Sequence, residues 1–208
     1  LKAYASIINR VILLGPSHRI PLQGCAVPSH RVFSTPLGNV DIDQSACQHL
    51  RDLNLAVEHD QAHQWEHSLE VQLPFLQCCL EQFELIPVVV GECSAKSVSV
   101  LLSELIDGAV LAGDGSTLIV VSTDLSHFHP YETANSLDNK TIENIVARQT
   151  HILPEEACGC FALNGLLAYC RQKNWHTTLV SKANSADIVG STVFDKERVV
   201  GYASFIVH

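Results

Sequence analysis

The hydrophobic pattern of the chain contains three short apolar runs, at 11–14, 85–90 and 118–121. Runs of this length are typical of strands that are buried on both faces of a sheet. The first run ends at Gly15 and the second at Gly91, and glycine commonly marks the point where a strand passes into a loop. The pattern therefore predicts three strands of one buried sheet.

Between these runs, apolar residues recur at three- and four-residue steps, which is the period of an amphipathic helix. The clearest case is 68–83, where Pro74 can introduce a kink. Its apolar positions are Leu69, Leu73, Leu76, Leu80 and Phe83. We predict further helices at 44–53 and from the cap residue Ser94 to about Leu111. The segment before the first of these, from Cys25 onward, indicates short extended pieces.

The second half of the chain continues the alternation of helix and strand. We predict a helix within 131–148, a helix at 161–169, and two late strands, at 177–180 and 199–207, that complete the sheet. No internal repeat, low-complexity run or proline-rich linker interrupts the pattern. The chain is therefore predicted to be a single α/β domain over 1–208, with ligands bound beyond the carboxyl ends of its strands.

Composition and charge narrow the class of protein. Of 208 residues, 47% are hydrophobic and 17% are charged, which favours a large buried core. The formal net charge of −9 disfavours nucleic acid or an anionic membrane surface as a partner. No apolar run is long enough to span a bilayer and no signal-peptide pattern is found, so we expect a cytoplasmic protein in which a dimer or other oligomer can form. The chain has no Met and begins at Leu1, and we expect that a native N-terminal segment is missing.

The eight cysteines are too widely spread for a disulfide scaffold, so reduced thiols are expected. Cys158 and Cys160 are separated by a single residue. Structural zinc sites typically have two residues between paired cysteines and a second pair elsewhere in the chain. A structural zinc site is therefore not expected.

Two histidines are candidate metal ligands. His18 lies on a loop just after the first predicted strand, where a neutral imidazole can bind a divalent metal. The alternative is a loop histidine that hydrogen-bonds the backbone. His67 stands at the start of a predicted helix, where Glu66 or Glu70 could orient its ring. The alternative is that the acidic residues only complement the helix dipole.

Two further segments carry reactive side chains. Asp124 and His127 follow the third predicted strand and can act as an acid and base pair. The alternative is that Asp124 caps the next turn and His127 is merely exposed. Cys158 precedes Gly159 and an apolar helical pattern, so the helix N-terminus could lower the pKa of its thiol for metal binding or nucleophilic chemistry. The alternative is that Cys158 is a small buried apolar residue.

Taken together, these motifs resemble the Memo family, whose fold is related to the catalytic subunit of class III extradiol ring-cleaving dioxygenases. The motifs that carry the resemblance are LGPSH at 14–18, EHSLEVQLP at 66–74, STDLSH at 122–127, CG at 158–159 and VVGYA at 199–203. The resemblance implies a dioxygenase-like α/β/α sandwich with a central mixed sheet.

The resemblance also implies a metal pocket. In it, His18 and His67 match the two histidine ligands, and Cys158 takes the place of a glutamate in the dioxygenases. Asp124 and His127 match residues that line the pocket, and His127 would move protons. Because a thiolate is softer than a carboxylate, the preferred metal shifts toward copper, zinc or a more covalent iron site. Relative to the family, this chain lacks the strand and loop before the first histidine motif, and the stretch before Cys158 is short.

Three classes of function remain open. The first is a redox protein that uses iron or copper at His18, His67 and Cys158, with His127 and Asp124 as catalytic residues. The second is a zinc-dependent hydrolase, in which Asp124 or His127 takes a proton from bound water. The third is a non-catalytic scaffold that binds a small molecule or a peptide in the same pocket.

Overall fold

The computed structural model describes residues 4–108, 117–188 and 196–208. Its strands are β1 (Arg10–Pro16), β2 (Cys25–Val27), β3 (Val32–Thr35), β4 (Gly38–Asp41), β5 (Val57–Glu58), β6 (Glu84–Val90), β7 (Thr117–Val121), β8 (His127–His129), β9 (Thr177–Asn184) and β10 (Val199–Val207). Its helices are α1 (Gln44–Asp52), α2 (Asp60–Gln64), α3 (Leu73–Cys79), α4 (Ala95–Asp107), α5 (Tyr131–Val146), α6 (Cys160–Lys173) and α7 (Ser185–Ile188). None of the helices in these ranges is long and apolar enough to cross a membrane.

The central sheet has five strands in the order β5-β2-β6-β1-β7. Strand β1 is parallel to both β6 and β7, whereas β2 is antiparallel to β6, so the sheet is mixed. The three strands predicted from apolar runs are confirmed as β1, β6 and β7. Pro16 pairs with Val90 and Leu14 with Val121, which brings the carboxyl ends of these strands to one edge of the sheet.

Side chains of β1 alternate between two cores, one on each face of the sheet. Ile12 and Leu14 pack in the core that α1, α4 and α6 cover. Val11 and Leu13 pack on the opposite face, against the leucines of the segment that contains α3. Helices therefore cover both faces of a mixed sheet, and the predicted α/β/α architecture is confirmed.

The helix predicted over 68–83 is shorter than the pattern indicated. A 3₁₀ turn at Glu70–Gln72 leads into α3, which ends at Cys79. Pro74 lies in the first turn of α3, where its missing N–H removes no helical hydrogen bond, so it begins the helix instead of kinking it. The leucines at 69, 73, 76 and 80 are buried as the periodicity predicted.

Helix α4 begins as expected, because the Ser94 hydroxyl accepts a hydrogen bond from the Ser97 N–H at 3.1 Å. The predicted end at Leu111 is wrong in part: α4 ends at Asp107, and Gly108 has an extended conformation. Residues 109–111 lie outside the described residues.

The two late strands do not complete the central sheet. Strands β9 and β10 form a separate antiparallel sheet with β8, in the order β8-β10-β9. Gly201 of β10 accepts a hydrogen bond from the Leu125 N–H and donates one to the Ser126 carbonyl, both at 2.9 Å. This second sheet therefore fixes the segment that follows β7, which carries Asp124 and His127.

His63, on α2, is buried, and its Nε2 lies 3.2 Å from the Ala26 carbonyl oxygen of β2. Burial is the main cause that lowers the pKa of His63 from 6.5 to about 4, with His30 acting in the same direction and Asp60 against it. Below pH 6.5 the unfolded chain takes up a proton at this position that the folded chain does not. We therefore expect the free energy of unfolding to fall by ~3 kcal/mol from this group as the pH drops from 6.5 to 4.

Urea unfolding across this pH range checks the expectation. In His63→Gln, the decrease in unfolding free energy between pH 6.5 and 4 should be smaller than in the wild type by that amount. The control is His151→Gln, at an exposed histidine, which should keep the wild-type pH dependence. Identical pH dependence in His63→Gln and the wild type would contradict a neutral buried His63.

Candidate functional site

The predicted site residues lie on loops at the carboxyl edge of the central sheet. His18 follows β1, and the segment 122–127 follows β7. Backbone hydrogen bonds continue the sheet into both loops: the Ser17 N–H donates to Val90 and the Ser122 N–H donates to Leu14. The positions of both loops are therefore set by the strands that precede them.

Glu66 is a buried carboxylate at the centre of the first cluster, with 1% of its side chain exposed. It accepts hydrogen bonds from the backbone N–H groups of His18, His67 and Ser68, and its Oε1 lies 3.0 Å from Nδ1 of His18. Burial acts to raise the pKa of Glu66, but the His18 and Ser68 donors outweigh it, and the pKa lies below its usual value. Glu66 is therefore a carboxylate that orients the His18 ring through Nδ1.

His67 lies over His18. The two ring centroids are 5.4 Å apart and the rings are inclined by 25°, so they stack. Nδ1 of His67 lies 3.7 Å from Oε1 of Glu66, and 57% of its side chain is exposed. Glu66 thus contacts both predicted histidine ligands, with the closer contact to His18, whereas Glu70 is exposed.

Cys158 lies just before α6 and is held by the loop that follows β7. The Asp124 N–H donates to its sulfur at 3.2 Å, and the Thr123 hydroxyl lies 3.7 Å from the same atom. Thr123 also accepts the Gly159 N–H at 2.8 Å. A Cβ at Gly159 would lie 2.7 Å from the Ser122 carbonyl oxygen, so only glycine permits this close approach of the two loops. The adjacency of Cys158 and Gly159 therefore has a packing reason.

The first cluster is linked electrostatically to the second through Cys158. Interaction with Cys158, opposed by burial and reinforced by Glu66, raises the pKa of His18 to about 9. Burial would raise the pKa of Cys158, but interaction with His18 and the donors at the Asp124 N–H and Thr123 lower it below its usual value. His18 and Cys158 therefore favour each other's charged forms.

Asp124 and His127, the predicted acid and base pair, are neighbours. Nε2 of His127 lies 3.8 Å from an Asp124 carboxylate oxygen, and both side chains are partly exposed. The pair is close enough to exchange a proton through a small adjustment or one water molecule. Both side chains can be reached by a molecule from solvent.

The described part of the chain contains two groups of side chains whose ligand atoms lie within 4.8 Å of one another. The first is His18, Glu66 and His67, and the second is Asp124, His127 and Cys158. The predicted ligand set of His18, His67 and Cys158 is therefore divided between two adjoining groups. All five predicted site residues nevertheless lie at one edge of the sheet.

Sequence reasoning missed three contributors to the site. Glu66 was considered only as a partner of His67, yet it binds His18, which is 48 residues away in sequence. Thr123 was given no role, although it contacts both Cys158 and Gly159. Tyr202 follows Gly201, which is hydrogen-bonded to Leu125 and Ser126, and burial and the charge of Asp124 raise its pKa. The VVGYA motif at 199–203 was the available signal for Tyr202.

Comparison with known proteins identifies the family. The profile described as Memo-like protein matches residues 2–206. The chain belongs to the Memo family. A MEMO1 family protein of Methanosarcina mazei is 32% identical over 212 residues, which cover 94% of this chain and 74% of that protein. A MEMO1 family protein of Thermoplasma acidophilum is 29% identical, with coverage of 97% and 75%.

A solved structure shares the fold of this Memo-family chain. An uncharacterized protein from Escherichia coli K12 superposes with a TM-score of 0.59 and 13% identity, over 96% of this chain and 89% of the other. At this identity the likeness concerns the fold alone. The resemblance to the Memo family read from the short motifs is thus confirmed over nearly the whole chain.

Proposed function

We propose that this Memo-family protein binds a redox-active metal ion, iron or copper, and acts as a metal-dependent redox protein related to the extradiol dioxygenases. His18 and Cys158 are the central ligands, and His67 is the third. The observation that carries the proposal is the environment of the His18 ring. A buried carboxylate, Glu66, engages Nδ1, and Cys158 interacts with the same ring.

The donor set fits such a metal. Histidines that bind metals usually donate their second ring N–H to a carboxylate or a carbonyl group, as His18 can to Glu66. Imidazole and thiolate together suit copper, zinc and iron better than magnesium or calcium, which prefer oxygen ligands. Metal binding requires a neutral imidazole and a deprotonated thiol, so protons on Cys158 and on the ligating nitrogen of His18 must leave when the metal binds.

The residues of the chain have separable roles in the proposed chemistry. The metal, when bound, would supply a redox centre and a Lewis acid. Glu66 holds the orientation of His18, and Thr123 with the Asp124 N–H holds the position of Cys158. Nε2 of His127 and the carboxylate of Asp124 accept or donate a proton at the exposed side of the site. These half-exposed groups favour a small molecule as the substrate, with a peptide as the alternative ligand.

The state of the cysteines supports a reducing compartment. All eight are free thiols, although Cys78 and Cys79 are at least partly accessible. Cytosolic proteins typically keep their cysteines reduced. We therefore propose a cytoplasmic location.

Metal content tests the proposal. We expect elemental analysis of the untagged protein, purified without chelator, to give close to one iron or copper per chain. The His18→Ala/Cys158→Ala double variant should contain almost none. The matched control is His151→Ala/Cys78→Ala, at an exposed histidine and an exposed cysteine, which should keep the wild-type content.

The other outcomes separate the alternatives. Zinc in place of iron or copper would favour the hydrolase. No metal in any form, even after anaerobic loading with ferrous iron, would favour the binding scaffold. The single variant His67→Ala should also lose the metal while remaining folded, because His67 is exposed. Full metal content in His67→Ala would restrict the ligand set to His18 and Cys158.

A further inference from the structure

Apart from the candidate metal site, the structure has a cleft with a volume of about 370 Å³. Its lining includes two cysteines, Cys25 and Cys93, together with Lys96. The residues that line it belong to neither of the two candidate metal groups described above. Cys25 opens strand β2, and Cys93 lies in the segment between β6 and α4.

The backbone holds these two cysteines near each other. Strand β2 is antiparallel to β6, with Cys25 opposite Val90. The pairing continues beyond β6: the Gly24 N–H donates to the Glu92 carbonyl at 3.0 Å, and the Gly91 N–H donates to the Gly24 carbonyl at 2.8 Å. Glu92 is thus hydrogen-bonded to Gly24, which precedes Cys25 in the chain. Cys93 directly follows Glu92. Cys93 packs against the core cluster that contains Cys25, and both cysteines line the same cleft.

The two thiols are not equivalent. Cys25 is 4% exposed, whereas Cys93 is partly exposed to the cleft. Interaction with Cys93, together with burial, raises the pKa of Cys25 far above its ordinary value. The same interaction lowers the pKa of Cys93, against the effect of burial. Cys93 also precedes Ser94, the cap of the thirteen-residue helix α4, and a helix N-terminus favours a thiolate.

We propose that Cys25 and Cys93 form a peroxide-sensitive pair that closes reversibly into a disulfide. Cys93, which is accessible from the cleft, is the thiol that reacts with hydrogen peroxide or a small organic hydroperoxide. Cys25, which is buried behind it, is the resolving thiol. Transient disulfides of this kind are the type that a reducing compartment permits.

The reaction balances in two steps. The Cys93 thiolate attacks one peroxide oxygen, an S–O bond forms, the O–O bond breaks, and the leaving hydroxide is protonated to water. The sulfur of Cys25 then attacks the sulfur of Cys93, an S–S bond forms, and the S–O bond breaks. The hydroxide that leaves takes the Cys25 proton as a second water. Two thiols are oxidised by two electrons in total, and one hydrogen peroxide is reduced to two waters; an organic hydroperoxide gives one alcohol and one water.

Peptide mapping of the full chain tests the pair. After brief treatment with hydrogen peroxide, the protein is unfolded in denaturant, free thiols are alkylated with iodoacetamide and the protein is digested without reduction. We expect the chain to lose two alkylatable thiols, at Cys25 and Cys93, and to yield one peptide in which these residues are linked. Dithiothreitol should restore both thiols. Cys78, which is exposed and lies elsewhere on the surface, reports non-selective oxidation.

Single variants assign the roles. In Cys25→Ser, oxidation should stop at a sulfenic acid on Cys93, which dimedone traps. In Cys93→Ser, Cys25 should remain alkylatable after the same treatment. Cys78→Ser should still form the linked peptide. The proposal is wrong if Cys25 and Cys93 both remain alkylatable in the wild type after Cys78 has been oxidised. It is also wrong if dimedone labels Cys25 in Cys93→Ser as strongly as it labels Cys93 in Cys25→Ser.

Discussion

Replacing Glu66 by Gln is expected to weaken metal binding at the candidate site and to destabilise the whole chain. The Glu66 carboxylate accepts three backbone N–H groups and contacts the His18 ring. Gln offers one oxygen acceptor and places an NH₂ group where the second carboxylate oxygen stood. At least one donor therefore loses its acceptor in a buried position, and the free energy of unfolding should fall by about 1 to 3 kcal/mol.

The effect of Glu66→Gln on metal binding has a separate cause. Without the carboxylate at Nδ1, the ring of His18 is less firmly oriented and less basic as a ligand. Loss of such a partner typically weakens metal affinity by about 10- to 100-fold. Competition with a chelator measures this affinity, and urea unfolding measures the stability.

Glu70→Gln is the matched control for Glu66→Gln, because Glu70 lies four residues further on and is exposed. It should leave both quantities close to their wild-type values. Wild-type metal affinity in Glu66→Gln would show that Glu66 has only a structural role. Wild-type stability would show that its four contacts are replaceable.

Gly165→Ala is expected to destabilise the chain through the contact between α6 and α4. A Cβ at Gly165 would lie 2.2 Å from Cβ of Val98 and 2.3 Å from its Cγ1. Val98 is fully buried, and a β-branched side chain in a helix has a single strongly preferred rotamer, so it cannot turn away. The two helices must therefore separate. Overpacking of this kind costs about 1 to 3 kcal/mol, and we expect the upper part of that range.

Urea unfolding of Gly165→Ala measures this effect. Gln172→Ala, at an exposed position of the same helix, is the control and should change the free energy of unfolding by less than about 0.5 kcal/mol. A Gly165→Ala protein as stable as the wild type would mean that α4 and α6 can shift apart without loss of packing.

Local patterns predicted most of the helices and strands, because buried positions are apolar and recur with the period of the element that contains them. The apolar runs at 11–14, 85–90 and 118–121 became β1, β6 and β7, and the leucine spacing from Leu69 to Leu80 identified the buried face of the segment around α3. Periodicity did not show where that segment becomes helical. Pro74 and the 3₁₀ turn before it set that boundary.

Pairing between strands could not be read in the same way. Strands β9 and β10 were correctly predicted as strands. Their place in a second sheet depends on which strand lies beside them in the fold with backbone N–H and C=O groups left to pair. Strand β2, only three residues long, pairs with β6 from far along the chain. Such non-local hydrogen bonds leave no periodic signal in either segment.

For the candidate site too, some features followed from the sequence and others only from the fold. The sequence by itself determined the family and the α/β class. It also singled out His18, His67, Asp124, His127 and Cys158 as candidates, because short motifs contain them. Tertiary structure alone decided that Glu66 binds His18 and that Thr123 binds Cys158. It also decided that Cys25 and Cys93 line one cleft. The physical reason is that these pairs join segments 35 to 68 residues apart, whose approach is set by the packing of the whole sheet and its helices.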